Sequence, residues 1–108
     1  MRRLRVVYRP EAVADLEGIY RFLVRTGAFP GVAQRYVRRI RDRCGRIGDA
    51  PLGCAPREDL APGIRLAAFE QRVVIAYRIE AEAVEITNVF YGGRDYEALY
   101  RGRDSEAS

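Results

Sequence analysis

Histidine and lysine are both absent: every one of the 19 cationic side chains is an arginine. Without histidine, no unperturbed side chain changes charge between about pH 5 and 8, so acid/base work would need a strongly shifted Glu, Asp, Cys or Tyr. That argues against conventional hydrolase chemistry. The missing lysine fits a GC-rich genome, and arginine in its place offers a permanently charged planar fork to carboxylate or phosphate. The two cysteines, Cys44 and Cys54, form no CxxC pair and have no histidine beside them, which removes metal and thioredoxin-like readings and leaves them as small apolar residues. No segment approaches the ~20 apolar residues of a membrane span, and no apolar stretch of signal-peptide length precedes Pro10. A cytoplasmic location with no membrane partner is the expectation.

What is present suits one small domain over residues 1–100 with a polar, frayed tail over 101–108. A chain of 108 residues buries roughly 65% of its unfolded surface, enough for one core without staples. The net charge of +4 fits a nucleic-acid partner or an acidic protein about equally. Six arginines crowd one stretch, Arg35, Arg38, Arg39, Arg41, Arg43 and Arg46, while Glu80, Glu82 and Glu85 cluster later.

Residues 4–8 are short and β-branched and read as a strand. Pro10 then opens a helix in which Val13, Leu16, Tyr20 and Leu23, widened by Ala12 and Ile19, form the apolar stripe; Asp15, Glu17, Arg21 and Arg25 lie away from it. Residues 26–31 stop that helix, and a second begins near Val32 with Ala33, Tyr36 or Val37, Ile40, Cys44 and Ile47 in register. The pair predicts an antiparallel hairpin. Residues 50–63 carry three prolines and two glycines without a period, a connection long enough to be functional or pinned.

From Ile64 the period changes to two. Three strands turning near Gln71 and Ala81 are predicted, the last with Val84, Ile86 and Phe90 on one face and Glu85, Thr87 and Val89 on the other. Neither turn carries an Asn-Gly signal. The order β-α-α-β-β-β, a helical hairpin on a mostly antiparallel four-stranded sheet, is an α+β fold with one sheet face left for a partner. The last strand runs into Tyr91-Gly92-Gly93-Arg94-Asp95, where a double glycine turns the backbone and presents an arginine beyond the strand.

Four pieces of the chain in this order resemble ParE: Tyr8 and Pro10-Glu11-Ala12 with Asp15-Leu16 and Ile19-Tyr20; Arg57-Glu58-Asp59-Leu60 leading to Pro62-Gly63-Ile64-Arg65; Val74-Ile75-Ala76-Tyr77-Arg78-Ile79; and Val84-Glu85-Ile86 through Val89 to Gly92-Gly93-Arg94-Asp95. The resemblance covers about residues 4–99. It implies a toxin of the RelE/ParE type II toxin-antitoxin superfamily, the class of plasmid stabilisation proteins. Such a toxin is neutralised by a cognate antitoxin, usually of the ribbon-helix-helix type, and meets DNA only through it. The implied target of a ParE-type toxin is DNA gyrase, and no cofactor is implied. Two positions depart from the family pattern: Arg9 stands where a capping Ser or Thr is frequent, a change that weakens a helix end by about 1 kcal/mol, and Tyr91 stands where a histidine is common.

The resemblance leaves an enzyme to be weighed against an inhibitor. Aligned with the RelE-type ribosome-dependent mRNA endonucleases, Arg65, Arg72, Arg94 and Tyr100 fall at positions of catalytic residues. Arginines hold phosphate charge but are too basic to take a proton, and a tyrosine would need a much lowered pKa to do so. The reading as an inhibitor assigns Arg94, Tyr91, Arg65 and Arg72 to the target, and Leu16, Tyr20, Tyr36 and Arg39 to the antitoxin. A basic nucleic-acid-binding module is the remaining alternative, and a solvated face or a local ion pair is the plain reading of any single arginine here.

Overall fold

A computed structural model describes residues 3–93 and 96–107. Seven elements follow one another: β1 (Arg5–Tyr8), α1 (Pro10–Arg25), α2 (Pro30–Asp49), β2 (Arg65–Phe69), β3 (Val73–Glu80), β4 (Ala83–Tyr91) and α3 (Tyr96–Ala107). The strands form one sheet in the order β1-β4-β3-β2, parallel between β1 and β4 and antiparallel elsewhere. The expected α+β order is therefore the observed one.

Both helices of the hairpin start on proline, whose fixed φ and missing N–H suit the first helical position. Arg9 supplies no side-chain cap to α1, as its chemistry dictates, and Glu11 in the first turn faces the positive end of the helix dipole. Pro30 starts α2 two residues before the predicted Val32. The link between the helices closes on Thr26, whose hydroxyl donates to Phe22 O at 2.8 Å, and on Gly27 at φ +116°. The buried stripe of α1 is Ala12, Leu16 and Ile19, with Leu23 at its edge, whereas Val13 is exposed. That stripe and Ile40, Cys44 and Ile47 of α2 pack on one sheet face. At the far end of α2, Gly48 takes a main-chain bond from Leu4 at 2.8 Å and lies so close to β1 that a Cβ would strike the Leu4 carbonyl and come within 2.9 Å of Val6 Cγ2.

β4 breaks the simple alternation. Ala76 pairs with Asn88 but Tyr77 pairs with Ile86, so Thr87 is an extra residue, a bulge, whose hydroxyl donates to Ala76 O at 3.3 Å. The bulge exchanges the faces of everything beyond it. Val84 and Ile86 face the helices, and so do Val89 and Tyr91; Phe90, predicted to accompany Val84 and Ile86, points to the opposite side.

That opposite face is covered in part, contrary to the expectation of a free sheet surface. Tyr96 and Tyr100 of α3, with Leu60 and Ile64, cover Leu66, Val74, Ala76 and Phe90 to make a second apolar cluster. Arg57 joins the two coverings by pairing with Asp59 at 2.8 Å and Glu97 at 3.1 Å. α3 runs to Ala107. Residues 50–63 are pinned, as one of the two expectations had it: Tyr77 OH donates to the Pro51 carbonyl at 2.9 Å, Arg65 to the Cys54 carbonyl, and Arg57 N–H to Ile64 O at 2.7 Å. Among the described residues no helix is long and apolar enough to cross a membrane.

The two-residue link between β3 and β4 is made of Ala81 at φ +50° and Glu82 at φ +61°, a left-handed conformation that costs non-glycine residues about 1 to 2 kcal/mol each. Replacing the pair by Asn-Gly, the sequence such turns favour, is expected to raise unfolding free energy by about 1 kcal/mol in urea titrations. Gly48→Ala is expected to lower it by about 2 kcal/mol, because the Leu4 carbonyl is tied to α2 by the Leu4–Gly48 main-chain bond and Val6 lies in β1, paired with β4, so neither can give way easily.

Candidate functional site

Tyr91 is the centre of an aromatic cluster at one end of the molecule. Its ring lies 5.9 Å from Phe22 of α1 and 6.0 Å from Tyr36 of α2, and Tyr36 in turn lies 6.3 Å from Phe69 of β2. Arginines overlie two of these rings, Arg25 at 5.8 Å from Phe22 and Arg39 at 5.1 Å from Tyr36. Arg39 also grips Glu70 with a fork of bonds at 3.1 and 3.2 Å, tying α2 to the β2–β3 turn. Exposed Arg72 belongs to the same turn, and its carbonyl accepts the Gly92 N–H at 2.8 Å. Gly92 and Gly93, at φ +75° and +71°, then end the strand.

The structure thus joins residues the sequence reading had divided: Tyr91 and Arg72, assigned to the target, and Tyr36 and Arg39, assigned to the antitoxin, share one patch. Tyr20 is half-buried on α1. Leu16, also assigned to the antitoxin, is 3% exposed inside the core, so its contacts are with the chain's own sheet. Arg94 lies outside the described residues.

Of the nuclease set, Arg65 and Tyr100 do not come together. Arg65 is half-buried on the helix side of β2, where it holds the Cys54 carbonyl. Tyr100, 2% exposed, belongs to the cluster on the other side of the sheet. The sheet stands between them. Nor do the buried ionisable groups supply a base: burial pushes the Cys44 thiol up to about 11 and the Tyr77 hydroxyl up to about 12, and burial, followed by Tyr91 and Glu70, raises Tyr36 as well. Each moves away from the lowered value a proton acceptor at neutral pH would need.

Beside the aromatic cluster runs an open groove of about 600 Å³ between α1 and the end of β4, lined by Asp15, Gly18, Phe22, Arg25, Val89 and Tyr91 among others. Sequence reasoning missed Phe22, Gly18 and the role of Asp15. Asp15, expected to lie away from the buried face, accepts the Val89 N–H at 2.8 Å and Asn88 Nδ2 at 3.4 Å. Its position directly before Leu16, on the border of the buried stripe, is the one signal that placed it near the sheet.

A helical hairpin laid on a mixed four-stranded sheet, with a cationic aromatic patch at one end, is the small α+β architecture that the sequence resemblance implied. The chain belongs to the family of ParE toxins of type II toxin-antitoxin systems, whose model matches residues 6–96. Two solved structures share the fold: the chromosomal ParDE toxin-antitoxin system of P. aeruginosa, at 21% identity and a TM-score of 0.72 over 82% of this chain and 96% of that one, and the RelBE2 toxin-antitoxin complex of Mycobacterium tuberculosis, at 19% and 0.62 over 83% and 99%. No curated protein matches the chain.

The Tyr36 hydroxyl is buried with no hydrogen-bond partner among the described residues. Removing an unsatisfied group is close to neutral, so Tyr36→Phe is expected to leave stability unchanged or raise it by about 0.5 kcal/mol. Tyr36→Ala, which removes the ring between Phe69 and Tyr91, is expected to cost about 2 kcal/mol. Chemical denaturation of both variants checks the contrast.

Proposed function

We propose that this chain is a protein inhibitor whose target is DNA gyrase, that it acts in the cytoplasm, and that a cognate ribbon-helix-helix antitoxin silences it by covering the aromatic-arginine patch. DNA is met only through that antitoxin. The observation that carries the reading is that Tyr91, Tyr36, Arg39 and Arg72 converge on one surface, while Tyr100, which the nuclease reading alone uses, is enclosed on the other side of the sheet. A surface of aromatic rings and arginines, with charge that does not titrate, suits recognition of a protein better than proton transfer. Membership of the ParE toxin family supports gyrase over messenger RNA.

Purified toxin is expected to inhibit gyrase supercoiling and to accumulate cleaved-DNA complexes, with translation unaffected. Arg72→Glu, a reversal at an exposed turn, is expected to raise the half-inhibitory concentration at least tenfold with an unchanged melting temperature. Cleavage of ribosome-bound mRNA without any effect on supercoiling would overturn the proposal in favour of the nuclease, and salt-dependent binding of the isolated chain to DNA would favour the basic module. The neighbouring reading frame is expected to encode the antitoxin, and co-expression of its product to raise soluble yield.

A further inference from the structure

The bulge in β4 also shapes a second cavity, away from the aromatic cluster. Among the described residues the buried polar side chains are Thr87 and Asn88, neighbours at the bulge. Long bonds hold both: the Thr87 hydroxyl donates to Ala76 O at 3.3 Å and Asn88 Nδ2 to Asp15 at 3.4 Å, outside the usual ranges of such contacts. With Arg9, Glu11 and Arg78 they line a cavity of about 170 Å³. Arg78 follows Ala76 by two residues on β3, so its side chain is on the sheet face that carries the second apolar cluster. Its Nε is buried and has no hydrogen-bond partner among the described residues. Glu85, opposite Arg78 in the register, is 3.8 Å from Arg9 Nη1 instead, and its buried Oε1 also lacks a hydrogen bond. Arg9 meets Glu11 only at 3.5 Å. Two guanidinium groups and two carboxylates thus surround one small polar space without satisfying one another, an arrangement that is unfavourable unless something else bonds to them.

We propose that this cavity is a binding site for inorganic phosphate in a protonated form. Arg78 from β3 and Arg9 from the β1–α1 junction donate to its P–O oxygens, the pairing for which the arginine fork is best suited. The carboxylates select the protonation state. Glu11 in the lining, with Glu85 behind Arg9, accepts from a P–OH group, which hydrogen phosphate retains at neutral pH. Sulfate has the same shape but no proton to offer, so it meets the same carboxylates as like charge. A phosphate monoester, with a second pKa of about 6, has lost most of that proton as well. Thr87 and Asn88 complete the surroundings with groups that donate or accept. Six residues separate Arg78 from Arg72, roughly 20 Å at the rise of an extended strand. The site is therefore distinct from the aromatic-arginine patch and does not rest on the gyrase reading.

The test is calorimetric titration of the full chain with sodium phosphate, sodium sulfate and adenosine monophosphate at neutral pH and matched ionic strength. Phosphate is expected to bind with a dissociation constant in the millimolar range or tighter, and sulfate and the monophosphate at least tenfold more weakly. Arg78→Gln is expected to weaken phosphate binding at least tenfold. Arg35→Gln, which removes the same charge from an exposed position of α2, is expected to change it less than twofold. Glu11→Gln is expected to narrow the preference for phosphate over sulfate at least threefold. Circular dichroism shows whether each variant folds, and the phosphate-to-sulfate ratio of the unmodified protein decides the matter if Arg78→Gln does not. Equal affinity for phosphate and sulfate, tighter binding of the monophosphate, no saturable phosphate binding, or a folded Arg78→Gln that binds as the unmodified chain does overturns the site. Each of those results leaves the inhibitor reading standing.

Discussion

One extra residue in β4 decides which side chains can meet at the end of the molecule. With Thr87 inserted against Ala76 and Tyr77, the strand presents Val84 and Ile86 to the helices before the bulge and Val89 and Tyr91 after it. An unbroken strand would place Phe90 on that side and turn Tyr91 away. The contacts of Tyr91 with Phe22 and Tyr36 exist only because of the bulge, and through Tyr36 so does the link to Arg39 and Glu70. The same insertion sends Phe90 to the opposite face, where it meets Tyr96 at 5.8 Å and gives α3 something to cover. Bulges of this kind re-aim side chains next to functional surfaces, and here both sides of the sheet depend on it.

The arginine-only cation set is used in two ways. Some guanidinium groups tie segments together: Arg57 holds Asp59 and Glu97, and Arg65 holds the Cys54 carbonyl. Others lie on rings, as Arg39 does on Tyr36 and Arg41 does on Tyr8 at 4.6 Å. The planar fork serves both purposes, since it bonds in its plane and stacks on its face. The exposed pairs add little to stability. Of them, Arg39 with Glu70 lies at the patch itself, where it holds the β2–β3 turn against Tyr36.

The element order was legible because proline, glycine and hydrophobic period act locally. Pro10 and Pro30 mark helix starts, Gly27 follows a helix end, and the change to period two at Ile64 marks the sheet. The site was legible only in part, because it depends on long-range pairing. Nothing within the run from Val84 to Tyr91 marks Thr87 as the unpaired residue; that follows from its match to β3. Tyr100 shows the same difficulty, since its place in the second apolar cluster depends on a sheet face that the sequence reading had left empty. Leu16 was read correctly as part of a periodic stripe and then assigned to a partner, although a stripe that repeats with Ala12 and Ile19 is the signature of the chain's own core.

The covering of the sheet's second face by the last helix makes the end of the gene a point of weakness. A premature stop before Tyr96 would remove Tyr96 and Tyr100 and expose Leu66, Val74 and Phe90 to water as one apolar surface. Every element that builds the aromatic-arginine patch would still be translated, yet the product would be prone to aggregate rather than to poison. A frameshift late in the reading frame would therefore act on the protein through its solubility, with no change to the aromatic-arginine patch itself.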